Sequence, residues 1–89
     1  MRAVITVVGT DKVGIIYKVS KVLAQNNVNI LDISQTIMQD MFTMIMLVNV
    51  DGCTVPFSEL SSVLDKTGHE IGVSIKIQHE DLFNSMHRI

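Results

Sequence analysis

Arg2-Ala3-Val4-Ile5-Thr6-Val7-Val8-Gly9-Thr10-Asp11-Lys12-Val13-Gly14-Ile15-Ile16 changes period half-way along. Up to Val8 it is dense in β-branched residues, which are stiff at χ1 and suit a pleated surface. The run stops at Gly9, which predicts a first strand with Ala3, Ile5 and Val7 on one face and Val4 and Val8 on the other. Thr10 to Gly14 reads as a turn. From Ile15 the apolar residues recur at helical spacing, at Ile15, Ile16, Val19, Val22 and Leu23, while Lys18, Lys21 and Gln25 take the opposite face. Asp11 or Thr10 can cap this helix, and Asn26-Asn27 end it.

Working outward, Val28 to Met38 reads as a second strand whose alternation slips where Ile30 and Leu31 stand side by side. A bulge near Ile30 accounts for the slip. Gln39-Asp40 is a turn, and Met41 to Asp51 is a third strand with Phe42, Met44, Met46, Val48 and Val50 on one face. Asp51-Gly52 to Pro56 connects to a second amphipathic helix marked by Phe57, Leu60, Val63 and Leu64, which Gly68 is expected to terminate. Ile71, Val73, Ile75 and Ile77 alternate as a fourth strand. Glu80 to Ile89 reads as a tail, a short helix with Leu82, Phe83 and Met86 on one side.

The order is therefore β-α-β-β-α-β. Right-handed crossovers put both helices on one side of an antiparallel sheet. The expected fold class is α+β, a ferredoxin-like two-layer sandwich with a short C-terminal tail helix. Residues 1–89 read as one domain, with a core over 1–79 and a tail over 80–89. That superfold hosts many functions and names none of them.

Composition narrows the classes. Among 89 residues, 47% are hydrophobic, and 7 Lys+Arg stand against 9 Asp+Glu. With no basic block or stripe, the phosphate-neutralising charge of a nucleic-acid binder is missing. A base-stacking RNA module on this fold would also need aromatic residues on strands one and three, where Phe42 stands alone. The apolar run at the N-terminus is too short for a signal-peptide core and far below the ~20 residues that span a bilayer. A cytoplasmic protein without membrane contact is expected. The first strand and most of the third are apolar on both faces. Something must cover the second face of the sheet: the tail, or a second copy in a homodimer, which is the preferred reading.

Catalytic constellations are missing from the pattern. His69, His79 and His87 do not neighbour a serine or cysteine at a spacing that suggests a nucleophile and base. His79 and His87 are eight apart, whereas paired ligands on one helix sit four apart, so no metal is expected. Asp40, Asp51, Asp65 and Glu59 fall in turns or on a helix surface. Cys53, the single cysteine, reads as a partly buried structural thiol; a metallochaperone or redox pair needs two. A phosphatase on this superfold would need an arginine cradle at the first loop, and the arginines are Arg2 and Arg88. No enzyme activity and no cofactor are expected.

The informative segment is Gly9 to Ile15. It has the Gly-x4-Gly spacing of a phosphate loop, but Ile15-Ile16 stand where Lys and Ser/Thr should follow, which excludes a nucleotide site. A strand ends there and a helix begins beside a glycine. Free backbone N–H groups and the helix dipole make such a corner suitable for a carboxylate. Gly14 without a Cβ lets a ligand approach the main chain; equally, it eases a tight turn.

At this segment the chain resembles the ACT-domain family. Gly9-x-Asp11-Lys12-x-Gly14-Ile15, then Asn29-Ile30 one helix later, is similar to that family's ligand-loop and second-strand signatures, over residues 1 to about 79. Within the family it is most similar to small stand-alone members related to the regulator of the glycine cleavage system. The resemblance implies a regulatory module that binds an amino acid or similar small ligand and signals to a metabolic enzyme or regulator. It implies one wall of the site from Asp11, Lys12, Val13, Gly14 and Ile15, and the other from Asn29 and Ile30 of a second copy. Asp11 would cap the helix or meet an amino group. Asn29 offers the donor and acceptor that a zwitterion needs, or is turn chemistry before a strand. The alternative is a ligand-free interaction module, a homodimer that docks on a partner protein.

Overall fold

The computed structural model describes residues 1–10 and 13–86. The elements are β1 (Arg2–Gly9), α1 (Ile15–Gln25), β2 (Asn29–Met38), β3 (Met41–Asn49), α2 (Phe57–Ile71), β4 (Ser74–His79) and α3 (Glu80–Met86). The strands form one antiparallel sheet in the order β2-β3-β1-β4. This is the ferredoxin-like arrangement expected, with a C-terminal helix added.

Opposed residues in an antiparallel pair share a face, so register sorts the side chains. Ala3, Ile5 and Val7 oppose Val48, Met46 and Met44 on one side, and Ile5 and Val7 oppose Ile77 and Ile75 on the other. All of these are buried, together with Ile15, Val19 and Leu23 of α1 and Leu60 and Leu64 of α2. That set is the core, and the period of two on β1 and of 3.6 on α1 is what gathers it.

The outer face carries Val4, Thr6 and Val8 of β1 against Leu47, Ile45 and Thr43 of β3. α3 meets this side of β1 and β4: Glu80 accepts from Arg2 Nε at 3.0 Å and pairs with its guanidinium at 2.7 Å. Val4 points away from α1 and α2, yet is 6% exposed. The tail thus covers part of the second face. Phe83 is half-buried and Leu82 is exposed; His87, Arg88 and Ile89 lie outside the described residues.

The second strand contains its bulge. Its register against β3 shifts between Ile30 and Asp32, leaving Leu31 as the extra residue. Asn26 closes α1, its Nδ2 donating to Val22 O at 2.8 Å, and Asn27 follows with φ of 57°. Short polar side chains tolerate that left-handed backbone.

Two expectations need correction. α2 does not end at Gly68; it runs to Ile71 and closes on Gly72, whose φ is 76°. Gly68 is interior because the helix presses on the start of the last strand there. A Cβ on Gly68 would lie 2.6 Å from Val73 O and 3.2 Å from Ile75 Cγ1. Ile71 and Val73 accordingly belong to the helix end and the turn, and β4 begins at Ser74. Neither Thr10 nor a side chain of any described residue caps α1, whose N-cap is Gly14.

Among the described residues no helix is long and apolar enough to cross a membrane. Gly68→Ala should destabilise the fold by about 1–3 kcal/mol, because the clash is with backbone that cannot move aside cheaply. Urea denaturation should show this loss, with Ser62→Ala on the exposed surface of α2 within about 0.5 kcal/mol of the parent.

Candidate functional site at the β1–α1 corner

β1 is interior to the sheet and buried on its helix side, so the chain must leave it at one end before α1 can return. Gly9 pairs with Phe42 at that end. Gly14 then adopts φ 77° and ψ −4°, a left-handed conformation that costs a side chain about 1 kcal/mol or more. The glycine is required by backbone shape. It also leaves space: among the described residues, its chain neighbours aside, nothing lies within 4 Å of where its Cβ would stand. The turn reading of Gly14 from the sequence is thus the one that the backbone shows.

The first intrahelical bond runs from Lys18 N to Gly14 O at 2.9 Å. The N–H groups of Ile15, Ile16 and Tyr17 precede it, and a helix supplies them no partner of its own. No capping side chain and no first-turn carboxylate neutralises this end among the described residues. Ile15 is buried and pins the helix to the core, whereas Val13 is 86% exposed. A helix start fixed in this way, and without a side-chain cap among the described residues, is favourable to a negative group.

The other residues expected at the site fall into two groups. Asp11 and Lys12 lie outside the described residues. Asn29 and Ile30 are described, and they are not beside Gly14. Asn29 pairs with Asn49, which pairs with Arg2, the residue at the opposite end of β1 from Gly9. Seven residues at ~3.4 Å separate those rows, or about 24 Å. Within one chain the two walls do not meet.

Sequence reading missed the residues that do adjoin the loop. Thr10 shares a hollow of about 120 Å³ with Ile37, Gln39, Asp40 and Phe42, at the β2–β3 turn. Phe42 is its buried floor, and Gln39 holds a φ of 55°. The signal was available in principle: pairing the Gln39-Asp40 turn with the end of β1 puts it beside Thr10. At the other end Asn27 Nδ2 donates to Gly52 O at 2.9 Å, and the terminal amine of Met1 pairs with Asp51. The ring of His79 stacks on Phe57 with centroids 4.0 Å apart. Among the described residues no three His, Cys, Asp or Glu side chains converge on a possible metal position.

Comparison with known proteins decides the family. An ACT-domain family model matches residues 2–78. The chain belongs to the ACT-domain family. The match takes in β1 to β4 almost entirely and stops before α3. The UPF0237 protein of Methanococcus maripaludis is 62% identical over 88 residues, 99% of this ACT chain and 98% of that protein. Among solved structures, an ACT domain protein from Streptococcus pneumoniae is 40% identical with a TM-score of 0.83, covering 98% of each chain. A protein assigned as a glycine cleavage system transcriptional repressor is 26% identical with a TM-score of 0.72, over 86% of this chain and 44% of that one. The chain is thus an ACT regulatory module with a C-terminal helix beyond the part that the family model matches.

The geometry changes which substitution at the corner is informative. Gly14→Val places a β-branched residue at φ 77° and should lower stability by about 1–3 kcal/mol. Gly14→Asn, which tolerates that backbone, should fold within about 1 kcal/mol of the parent while filling the open space. Paired thermal unfolding curves of the two variants check this ranking.

Proposed function

We propose that this ACT module senses an amino acid or a similar small zwitterion at the β1–α1 corner, between two copies of the chain, and signals to a metabolic enzyme or regulator in the cytoplasm. The observation that carries the reading is the start of α1, where among the described residues no side chain caps the helix and none fills the space at Gly14. A ligand carboxylate would accept from those N–H groups. Val13, Gly14 and Ile15, with Asp11 and Lys12, would form the first wall, and Asn29 and Ile30 of a partner the second.

The distance between Gly14 and Asn29 supports two copies. β2 is an edge strand whose residues are exposed along its length apart from Ile30, which is half-buried. From Ile33 to Met38 it carries no charge and no proline, the usual devices that keep an edge from pairing. Antiparallel pairing of two β2 strands would lay the Asn29 end of one copy beside the Ile37 end of the other. Ile37 already borders the hollow with Thr10. The whole chain is one unit in this reading, its core running to His79.

A second reading, a ligand-free docking module, draws on Val13, Tyr17 and Ile37, apolar or amphipathic side chains exposed around the same corner. One experiment separates the two. Thermal unfolding of the full chain is measured against each common amino acid. A ligand at 100 times its Kd should add about 2.7 kcal/mol of stability. That gain should vanish in Gly14→Asn and weaken at least tenfold in affinity in Asn29→Ala. Absence of any shift with every amino acid, from a verified dimer, favours docking without a ligand.

A further inference from the structure

The outer face of the sheet is covered only in part: towards the far end of β4, Ser74 and Lys76 turn outward and are exposed. α3 approaches β1 and β4 but not β2 or β3 among the described residues, and Val4 beneath it is buried. On the other half, β2 and β3 turn the small hydroxyls of Ser34, Thr36 and Thr43 outward, with Ile45, Leu47 and Met38 among them. Ile45 is 39% exposed and Met38 70% exposed. Asp32, beside the bulge, is the one charged residue pointing outward from these two strands. A mixture of apolar side chains and small hydroxyls with little charge suits a sheet-on-sheet contact, since specific interfaces are only slightly more than half apolar.

Area decides what can cover it. Two strands spaced about 4.8 Å apart and running about 30 Å offer roughly 300 Å². Two single chains packed through this half alone would bury about 600 Å² in total, short of the roughly 1,200 Å² of a stable specific interface. Pairing two chains along β2 changes the sum. The two open halves of β2 and β3 then adjoin as one strip of four strands. Two such strips face to face bury about 1,200 Å², which reaches that threshold.

We infer that the outer face of β2 and β3 is an interface with a second dimer of the same chain, giving a dimer of dimers with sheets stacked back to back. The inference rests on the β2-edge dimer proposed above.

Light scattering coupled to size exclusion, on the full chain at several concentrations, tests it. The expected mass is four chains. Ile45→Lys should halve the mass to two, and so should Thr36→Lys, an exposed position whose substitution leaves the core untouched. A parent mass of two chains at every concentration overturns the stacking inference and leaves the β2 dimer standing. A mass of one chain overturns the dimer as well. A tetramer that survives both lysine substitutions places the contact elsewhere and overturns the inference.

Discussion

The buried ladder between β1 and β3 is the constraint on which the rest of the structure depends. Ala3, Ile5 and Val7 lie against Val48, Met46 and Met44, and none of the six side chains retains measurable exposure. With both flanks of β1 paired and its inner face covered, the main chain can emerge only at the strand's ends. Gly9 is one of those ends. The helix that must return across the sheet follows from there, and the N–H groups of its first turn, which have no partner within the helix, come with it. The corner is a consequence of where the core lies.

The same constraint keeps Gly14 and Asn29 apart in a single chain. α1 runs back over the sheet and delivers Asn29 to the far end, so any cluster that contains both Gly14 and Asn29 needs a second copy. The edge of β2 is long and, beyond the bulge, from Ile33 on, uncharged. Its helix-side residues Ile33 and Ile37 are exposed because α1 does not extend over them. Regulation follows readily from this division. In the function proposed above, a ligand held between two chains would stabilise the pair relative to the separate chains, and its concentration would be read as a change in assembly.

Much of this was legible in the residues. The change of period at Gly9, the slip at Ile30-Leu31 and the Asn26-Asn27 stop each have a local cause, and each appears in the structure where the local cause puts it. Gly68 was misread because glycine near the end of an amphipathic run is usually a stop signal. Here it is a contact: the approach of α2 to Val73 and Ile75 is a tertiary fact that no local pattern encodes. The capping of α1 was misread for a related reason. Thr10 is a good cap by type, but the loop is long enough to carry it away from the helix, and a left-handed glycine begins the helix instead. Thr10, Ile37, Gln39, Asp40 and Phe42 were not grouped beforehand because their adjacency depends on sheet order rather than on spacing along the chain.

Amide chemical shifts, followed by two-dimensional NMR during titration with the amino acid that stabilises the protein most, test the central claim directly. The account expects the largest displacements at the Ile15, Ile16 and Tyr17 amides, with a second set at Asn29 and Ile30 and little change along α2 and β4. Displacements centred on the α2–β4 side, with the first turn of α1 unmoved, would contradict it.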